Sequence, residues 1–111
     1  MIGQYSCVSF FVYTRMGESI REPSDDVIDA VIAELDGPMD DEHPDVSLTH
    51  QSEWCLSAFS DGLLVWENVE DSGPPRHMTA VPRSEVRRLW AVLAQGNLDE
   101  IERQAWAPGY R

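Results

Sequence analysis

The stretch from Val46 to Asn68 constrains the fold more than any other, because it predicts a β-hairpin. Its sequence, VSLTHQSEWCLSAFSDGLLVWEN, contains two apolar runs that are separated by Asp61-Gly62. Asp-Gly between two such runs is typical of a tight two-residue turn, since both central residues of that turn need a positive φ. The turn predicts four cross-strand pairs: Ser60 with Leu63, Ala58 with Val65, Leu56 with Glu67, and Trp54 with Val69.

The predicted pairing also determines which side chains share a face, because side chains alternate along a strand. The face expected to form the core carries Trp54, Leu56, Ala58, Leu63, Val65 and Val69, with Glu67 as its only charge. The other, mixed face carries Cys55, Ser57, Phe59, Leu64, Trp66 and Asn68. We expect this mixed face either to be half covered or to be exposed to a partner.

Helices are predicted on both sides of the hairpin. Ser24 is a good N-cap for a helix that Gly37-Pro38 ends, and its apolar stripe is Val27, Ile28, Val31, Ile32 and Leu35. A second helix opens at Pro82, with Val86, Leu89, Trp90, Leu93 and Ala94 at helical spacing up to Gly96. Asn97 is the expected cap of a short C-terminal helix. Further strands are predicted at Gln4–Tyr13, Val46–Thr49 and His77–Val81.

These elements predict one α+β domain over residues 1–111. Its antiparallel sheet has the long hairpin at its centre and is packed by two main helices and the short C-terminal helix. The N-terminus lacks the basic region of a signal peptide, and no run approaches the roughly 20 apolar residues of a membrane helix. We therefore expect a soluble cytoplasmic protein. Cys7 and Cys55 lie in predicted strands, where reduced core thiols are expected rather than a disulfide.

Charge is the most unusual property of the composition. The formal net charge is -12, the chain has no lysine, and fifteen of its twenty acidic residues lie between Glu22 and Gly73, where there is no arginine. Such a field repels nucleic acid and anionic lipid and favours a basic partner. Solubility alone is the alternative explanation of the charge.

The sequence offers no convincing metal or catalytic site. The acidic loop Pro38–Asp45 lacks the alternating oxygen ligands, central glycine and distal glutamate of a calcium loop, and His50 and His77 are not at zinc-ligand spacing. Cys55 with either histidine is a conceivable nucleophile–base pair, but a cysteine in an apolar strand is usually inert. We expect no enzyme activity, no metal and no cofactor.

The order of the elements resembles a known family. A capped helix, an acidic loop, a short V-S-L strand and a hairpin ending in LLVWEN are followed by V-P-R-S-E-V, a helix, a Gly-Asn break and EIERQAW. This order is similar to that of the small immunity proteins of bacterial polymorphic toxin systems, in the branch encoded beside deaminase-type toxins. The resemblance covers roughly residues 25–106. It implies a protein that binds a cognate toxin domain and blocks its active site.

Toxins that act on nucleic acid need a basic groove for phosphates, and an acidic protein can occupy that groove. The expected source of the negative electrostatic field is the loop Asp40–Asp45 together with Glu70-Asp71. Glu53 or Glu67 is expected to reach basic side chains of the toxin. Trp66 is the candidate anchor, with core packing as its alternative role. The predicted partner-binding set is Asp40, Asp41, Glu42, Asp45, Glu53, Trp66, Glu67, Glu70 and Asp71.

Two other classes of function remain open. The chain is alternatively a small acidic interaction or regulatory domain with a partner that is not a toxin, or an enzyme or small-ligand binder that uses the hairpin face. The toxin's chemistry is open among deamination, nucleic-acid cleavage and ADP-ribosyl transfer. The sequence does not determine the strand order or the oligomeric state.

Overall fold

The computed structural model describes residues 9–38, 45–70 and 73–110. Within these ranges the strands are β1 (Phe10–Tyr13), β2 (Ser19–Arg21), β3 (Asp45–His50), β4 (Trp54–Phe59), β5 (Leu64–Asn68), β6 (Arg76–Met78) and β7 (Ala107–Pro108). The helices are α1 (Asp25–Ala33), α2 (Arg83–Ala94) and α3 (Leu98–Glu102), and a 3-10 turn over Glu34–Asp36 extends α1.

The described strands form one antiparallel sheet in the order β2-β1-β3-β4-β5-β6-β7. Across its centre, Val12 pairs with Leu48, Leu48 with Leu56, and Leu56 with Trp66. These four side chains are fully buried and belong to the core cluster that α1 and α2 complete. The α+β class and the packing of an antiparallel sheet by two main helices and a short one are therefore confirmed. We call this side of the sheet the helix face.

The two main helices form where their local sequence predicts them. The Ser24 hydroxyl accepts a hydrogen bond from the Val27 N–H, and the buried residues of this segment are Ile28, Val31, Ile32 and Leu35. Pro82 is the N-cap of α2, whose buried residues are Val86, Leu89, Trp90 and Leu93. The Asn97 side chain caps α3 by accepting from the Glu100 N–H. Caps and stripes are local signals, which is why the sequence is sufficient to find them.

The predicted hairpin register is wrong by one residue. The observed pairs are Trp54–Asn68, Cys55–Glu67, Leu56–Trp66, Ser57–Val65 and Ala58–Leu64. The Phe59 N–H donates to the Leu63 carbonyl and the Gly62 N–H to the Phe59 carbonyl, so the loop has three residues, Ser60–Gly62. Gly62 takes the left-handed conformation at φ +91°, as the third residue of such loops commonly does.

This shift exchanges the two predicted faces of β5. Trp66 and Leu64 join Leu56 and Ala58 on the helix face, whereas Glu67 lies beside Cys55 on the opposite face. The strand predicted at Gln4–Tyr13 is confirmed over Phe10–Tyr13, and Gln4–Val8 lie outside the described residues. The strand expected at His77–Val81 is Arg76–Met78. Strands β2 and β7, of three and two residues, were not predicted.

Candidate partner-binding surface

The structure separates the predicted binding residues between two ends of the sheet. Asp45 begins β3 and pairs with Phe59, whereas Glu53 lies in the turn after β3, and Glu67 and Glu70 lie at the end of β5. With about 3.3 Å per residue, the six residues of β3 place these ends about 17 Å apart. Asp40, Asp41, Glu42 and Asp71 lie outside the described residues. Asp45 is half-buried, and this burial raises the pKa of its carboxyl group.

We call the surface formed by Glu53, Glu67 and Glu70 the acidic end. Backbone contacts bring its parts together: the Val69 N–H donates to the Glu53 carbonyl at 2.9 Å, and Glu67 pairs with Cys55, two residues beyond Glu53. Within the described ranges, none of the three carboxylates forms a salt bridge. Their charge is therefore available to a partner.

Two glutamates near this end have an unusual backbone conformation. Glu53 has φ +74° and Glu22, directly after β2, has φ +44°. Glycine or asparagine is the usual residue at positive φ, because the Cβ of other residues is crowded there. Glu22 lies at the same end of the sheet as Glu53, since its N–H donates to the Phe10 carbonyl and Phe10 pairs with His50. Carboxylates occupy both positions at a cost in backbone energy.

Hydrogen bonds make the acidic end rigid. The His50 Nδ1 accepts from the Ser52 N–H at 3.0 Å and lies 2.8 Å from the Ser52 hydroxyl. The Asn68 amide donates to the Ser52 carbonyl at 3.2 Å, and its oxygen accepts from the Glu70 N–H at 3.0 Å. The turn before β4 is thereby bonded to the end of β5. A partner that binds here meets carboxylates on a preorganised backbone.

Apolar and aromatic surface lies beside these carboxylates. The Tyr110 hydroxyl donates to the Glu67 carboxylate at 2.8 Å, and this bond raises the pKa of the tyrosine. Tyr110 is 57% exposed and Val69 is 54% exposed. Tyrosine is enriched among the residues that dominate binding energy at protein interfaces. The acidic end therefore combines charge with contact surface.

Trp66, the candidate anchor, is buried in the core, the alternative role that the sequence analysis gave it. It is 0% exposed and stacks on Trp54, with ring centres 4.4 Å apart, and on Trp106 at 6.2 Å. Its indole N–H donates to Glu102. The prediction placed Trp66 on the mixed face because it assumed a two-residue turn, and the three-residue loop places it on the helix face.

Trp54 lies at the same end of the sheet as Glu53, but on the helix face, where it stacks on Trp66. It is half-buried, directly follows Glu53, and lines a cavity of about 330 Å³ together with Asn68, Pro74 and Arg76. The Arg76 guanidinium lies 5.9 Å from the centre of the Trp54 ring. The partial exposure of Trp54 could have been expected from the sequence, since Trp54 is the first apolar residue of its strand and lies where the strand emerges from the core.

The arginines of the helical layer are neutralised within the chain. Arg83 pairs with Asp36 at 3.2 Å, and Arg87 pairs with Asp25 at 3.0 Å and with Asp29 at 2.7 Å. The remaining pairs in this set are Arg76 with Glu102, Arg88 with Glu85 and Glu100, and Arg103 with Glu100. The positive charge of these five arginines is thus compensated locally, whereas the negative charge of the acidic end is not.

The described residues do not assemble the catalytic pair that the sequence left open. His50 is on the helix face beside Phe10, whereas its neighbour Thr49 pairs with Cys55, so that Cys55 and His50 point to opposite faces. Burial raises the pKa of the Cys55 thiol, which disfavours the thiolate. His77 donates from Nδ1 to the Gly109 carbonyl. No group of three His, Cys, Asp or Glu side chains in the described ranges is arranged to hold a metal ion.

Comparisons with protein-family models, curated proteins and solved structures find no match to this chain. Among the described helices, none has the length and apolar character needed to span a bilayer.

Proposed function

We propose that this chain is an immunity protein that binds a cognate bacterial toxin domain through the acidic end and occludes the toxin's active site. The observation that carries the proposal is the uncompensated charge of Glu53, Glu67 and Glu70 on a rigid surface, in a chain whose helical arginines are paired internally. The resemblance of the element order to immunity proteins suggests the class of partner.

Charge and contact surface have different roles in this proposal. Carboxylates at the rim of an interface attract a basic surface and accelerate association, an effect that salt weakens. Slow dissociation needs side chains that become buried on binding, and Tyr110, which is exposed and contacts Glu67, is suited to that role. We infer that the toxin presents a basic, nucleic-acid-binding groove, with deamination as the favoured chemistry because of the resemblance.

The proposal is tested by expressing the gene product encoded directly beside this gene, with and without this chain, and measuring growth. We expect the neighbour alone to arrest growth and co-expression to restore it. A triple Glu53→Gln, Glu67→Gln, Glu70→Gln variant is expected to lose protection while the protein stays folded. A matched triple variant, Glu18→Gln, Asp26→Asn, Asp99→Asn, carries the same charge change elsewhere and is expected to protect.

Two outcomes separate the competing proposals. If the neighbour is harmless, or is toxic and not suppressed, the toxin proposal is wrong. Binding of this chain to a basic protein that has no toxic activity would instead support the alternative, a small acidic interaction domain with a non-toxin partner. Both results are read from the same strains together with a pull-down of the purified chain.

A further inference from the structure

A second cavity, of about 350 Å³, lies between the turn before β4 and the edge of the sheet formed by β1 and β2. Its lining includes Phe11 and Tyr13 from β1, Arg21 from β2, and Gln51 and Glu53 from the turn. It shares Glu53 with the acidic end and extends that surface towards β2. The sequence did not indicate it, because β2 was not predicted.

The cavity contains two opposite charges that do not pair with each other. Arg21 and Glu53 both line it, and neither forms a salt bridge within the part of the chain that the structure describes. His50 also lines the cavity, and burial lowers its pKa, so that it adds no charge at neutral pH. The cavity therefore has one positive and one negative group in its wall.

The wall of this cavity is preorganised. The rings of Phe11 and Tyr13 meet edge to face, with centres 5.2 Å apart and planes at 88°. The Gln51 N–H donates to the Ser9 carbonyl at 2.8 Å, and the Gln51 side-chain oxygen accepts from the Ser9 N–H at 3.0 Å. Glu53 is fixed at its N–H, which donates to His50, and at its carbonyl, which accepts from Val69. Aromatic faces next to a carboxylate suit a guanidinium or ammonium group.

A ligand with a single charge would be attracted by one of the two side chains, Arg21 or Glu53, and repelled by the other. A ligand with both charges is attracted by Arg21 and by Glu53. Its own two charged groups need not lose all of their hydration. We propose that the cavity receives a pair of oppositely charged side chains from the partner protein, with a carboxylate directed to Arg21 and a guanidinium or ammonium to Glu53. This inference rests on the proposed function for the class of partner, and it adds that the partner's surface is not uniformly basic.

Arg21 then determines specificity. A generally basic protein is attracted by the acidic end but presents a cation to Arg21, and this like-charge contact opposes docking. The cognate partner presents an acidic residue at that position. One arginine at the edge of an acidic surface thus distinguishes the cognate partner from other basic proteins.

The charge preference is tested on the purified chain with small probes. N-acetyl-L-arginine carries a guanidinium and a carboxylate, its amide carries only the guanidinium, and N-acetyl-L-norleucine carries only the carboxylate. The backbone amide signals of Ser19 and Gln51, which both line the cavity, report binding in an NMR titration. We expect N-acetyl-L-arginine to bind about two- to fivefold more tightly than either singly charged probe, as expected for one additional exposed ion pair.

Two variants assign the charges to the residues. Arg21→Gln should remove the advantage of N-acetyl-L-arginine over its amide, and Glu53→Gln should remove its advantage over N-acetyl-L-norleucine. Asp99→Asn is the matched control, because it removes one negative charge in α3, outside both the cavity and the acidic end, and it should change neither ratio. Equal binding of the three probes, or absence of any shift at Ser19 and Gln51, would overturn the proposal.

A measurement with the protein partner is a second, independent test. Arg21→Glu should weaken binding of the cognate toxin if the partner presents a carboxylate, and should strengthen it if the partner is uniformly basic, which would contradict the inference. Failure of the two proposals is distinguishable. If the cavity prefers N-acetyl-L-arginine but the chain does not protect against a toxin, the charge assignment of the cavity stands and the toxin proposal is wrong. If the chain protects but the cavity shows no such preference, the toxin proposal stands and the charge assignment is wrong.

Discussion

The indole N–H of Trp66, which is fully buried, donates to the Glu102 carboxylate at 2.9 Å. The same carboxylate accepts two hydrogen bonds from Arg76, at 2.6 and 2.8 Å. Glu102 therefore joins α3 to the sheet at the tryptophan stack and fixes Arg76 beside Trp54. A residue of the short C-terminal helix thus positions Arg76 in the wall of the Trp54 cavity.

Glu102→Ala is expected to destabilise the fold by about 1–3 kcal/mol, because it leaves a buried indole N–H without its acceptor. The charge of the pair adds little, since both side chains are about one-third exposed. Urea unfolding measures the effect. Asp99→Ala, in the same helix, is the control and should cost less than about 1 kcal/mol. Equal costs of the two substitutions would show that the contact with Trp66 does not contribute to stability.

The hairpin loop gives a second prediction, for Gly62→Ala. A Cβ at Gly62 would lie 3.1 Å from the Cα of Ala80, and the backbone there has φ +91°. Gly17, with φ +87°, has no atom within 4 Å of the corresponding position. The destabilisation by Gly17→Ala therefore comes from the backbone conformation alone. We expect Gly17→Ala to cost about 1 kcal/mol and Gly62→Ala at least about 1 kcal/mol more. Thermal unfolding of the two variants measures the difference, and a larger loss at Gly17 would contradict it.

His50 makes stability depend on pH. Burial lowers the pKa of His50 from the ordinary value of 6.5. Below that pH the His50 ring binds a proton in the unfolded chain but not in the folded chain. The contribution of neutral His50 to stability is therefore fully present above about pH 6.5 and decreases as the pH falls towards the folded pKa. We expect the ¹H NMR titration of the His50 ring to have its midpoint below 6.5, and stability in urea to fall as the pH decreases below about 6.5. His50→Gln should flatten the dependence in this interval, and a midpoint above 6.5 would contradict the prediction.

The acidic end and the loop segment Asp40–Glu42 can be compared as sources of electrostatic attraction. Neutralising Glu53, Glu67 and Glu70 removes the same charge as neutralising Asp40, Asp41 and Glu42. Because Glu53, Glu67 and Glu70 form no salt bridge among the described residues and lie beside exposed Tyr110, we expect their neutralisation to lower the association rate with the proposed toxin by about tenfold at low salt, more than neutralisation of the loop set, and to flatten the salt dependence. Stopped-flow association at several salt concentrations measures this. A larger effect of the Asp40–Glu42 set would assign the attraction to the loop instead.

Much of the fold follows from local patterns in the sequence, and the errors have one physical origin. The stripe of Val86, Leu89, Trp90 and Leu93 and the caps Ser24 and Asn97 are signals within a few residues, so the helices were predicted correctly. The register of β4 and β5 depends instead on the conformation of the connecting loop. Asp61-Gly62 suits both a two-residue turn and the last two positions of a three-residue loop, and that difference of one residue moves every side chain of β5 to the other face.

The candidate site was predictable only in part for the same reason. Acidic residues were identified from composition, but whether Glu67 or Trp66 meets solvent depends on the register. Strand β2, which carries Arg21, has three residues and exists because it pairs with β1, so no pattern in its own sequence marks it. The cavity that joins Arg21 and Glu53 therefore had to be found in three dimensions.

The left-handed backbone of Glu22 and Glu53 has a consequence for laboratory evolution. A library selected only for heat resistance should accumulate glycine or asparagine at both positions, because either residue relieves the backbone energy that glutamate leaves in place. The same library selected for protection against the proposed toxin should retain glutamate at position 53. The two selections would therefore diverge at a position where conventional stability engineering would introduce a substitution first.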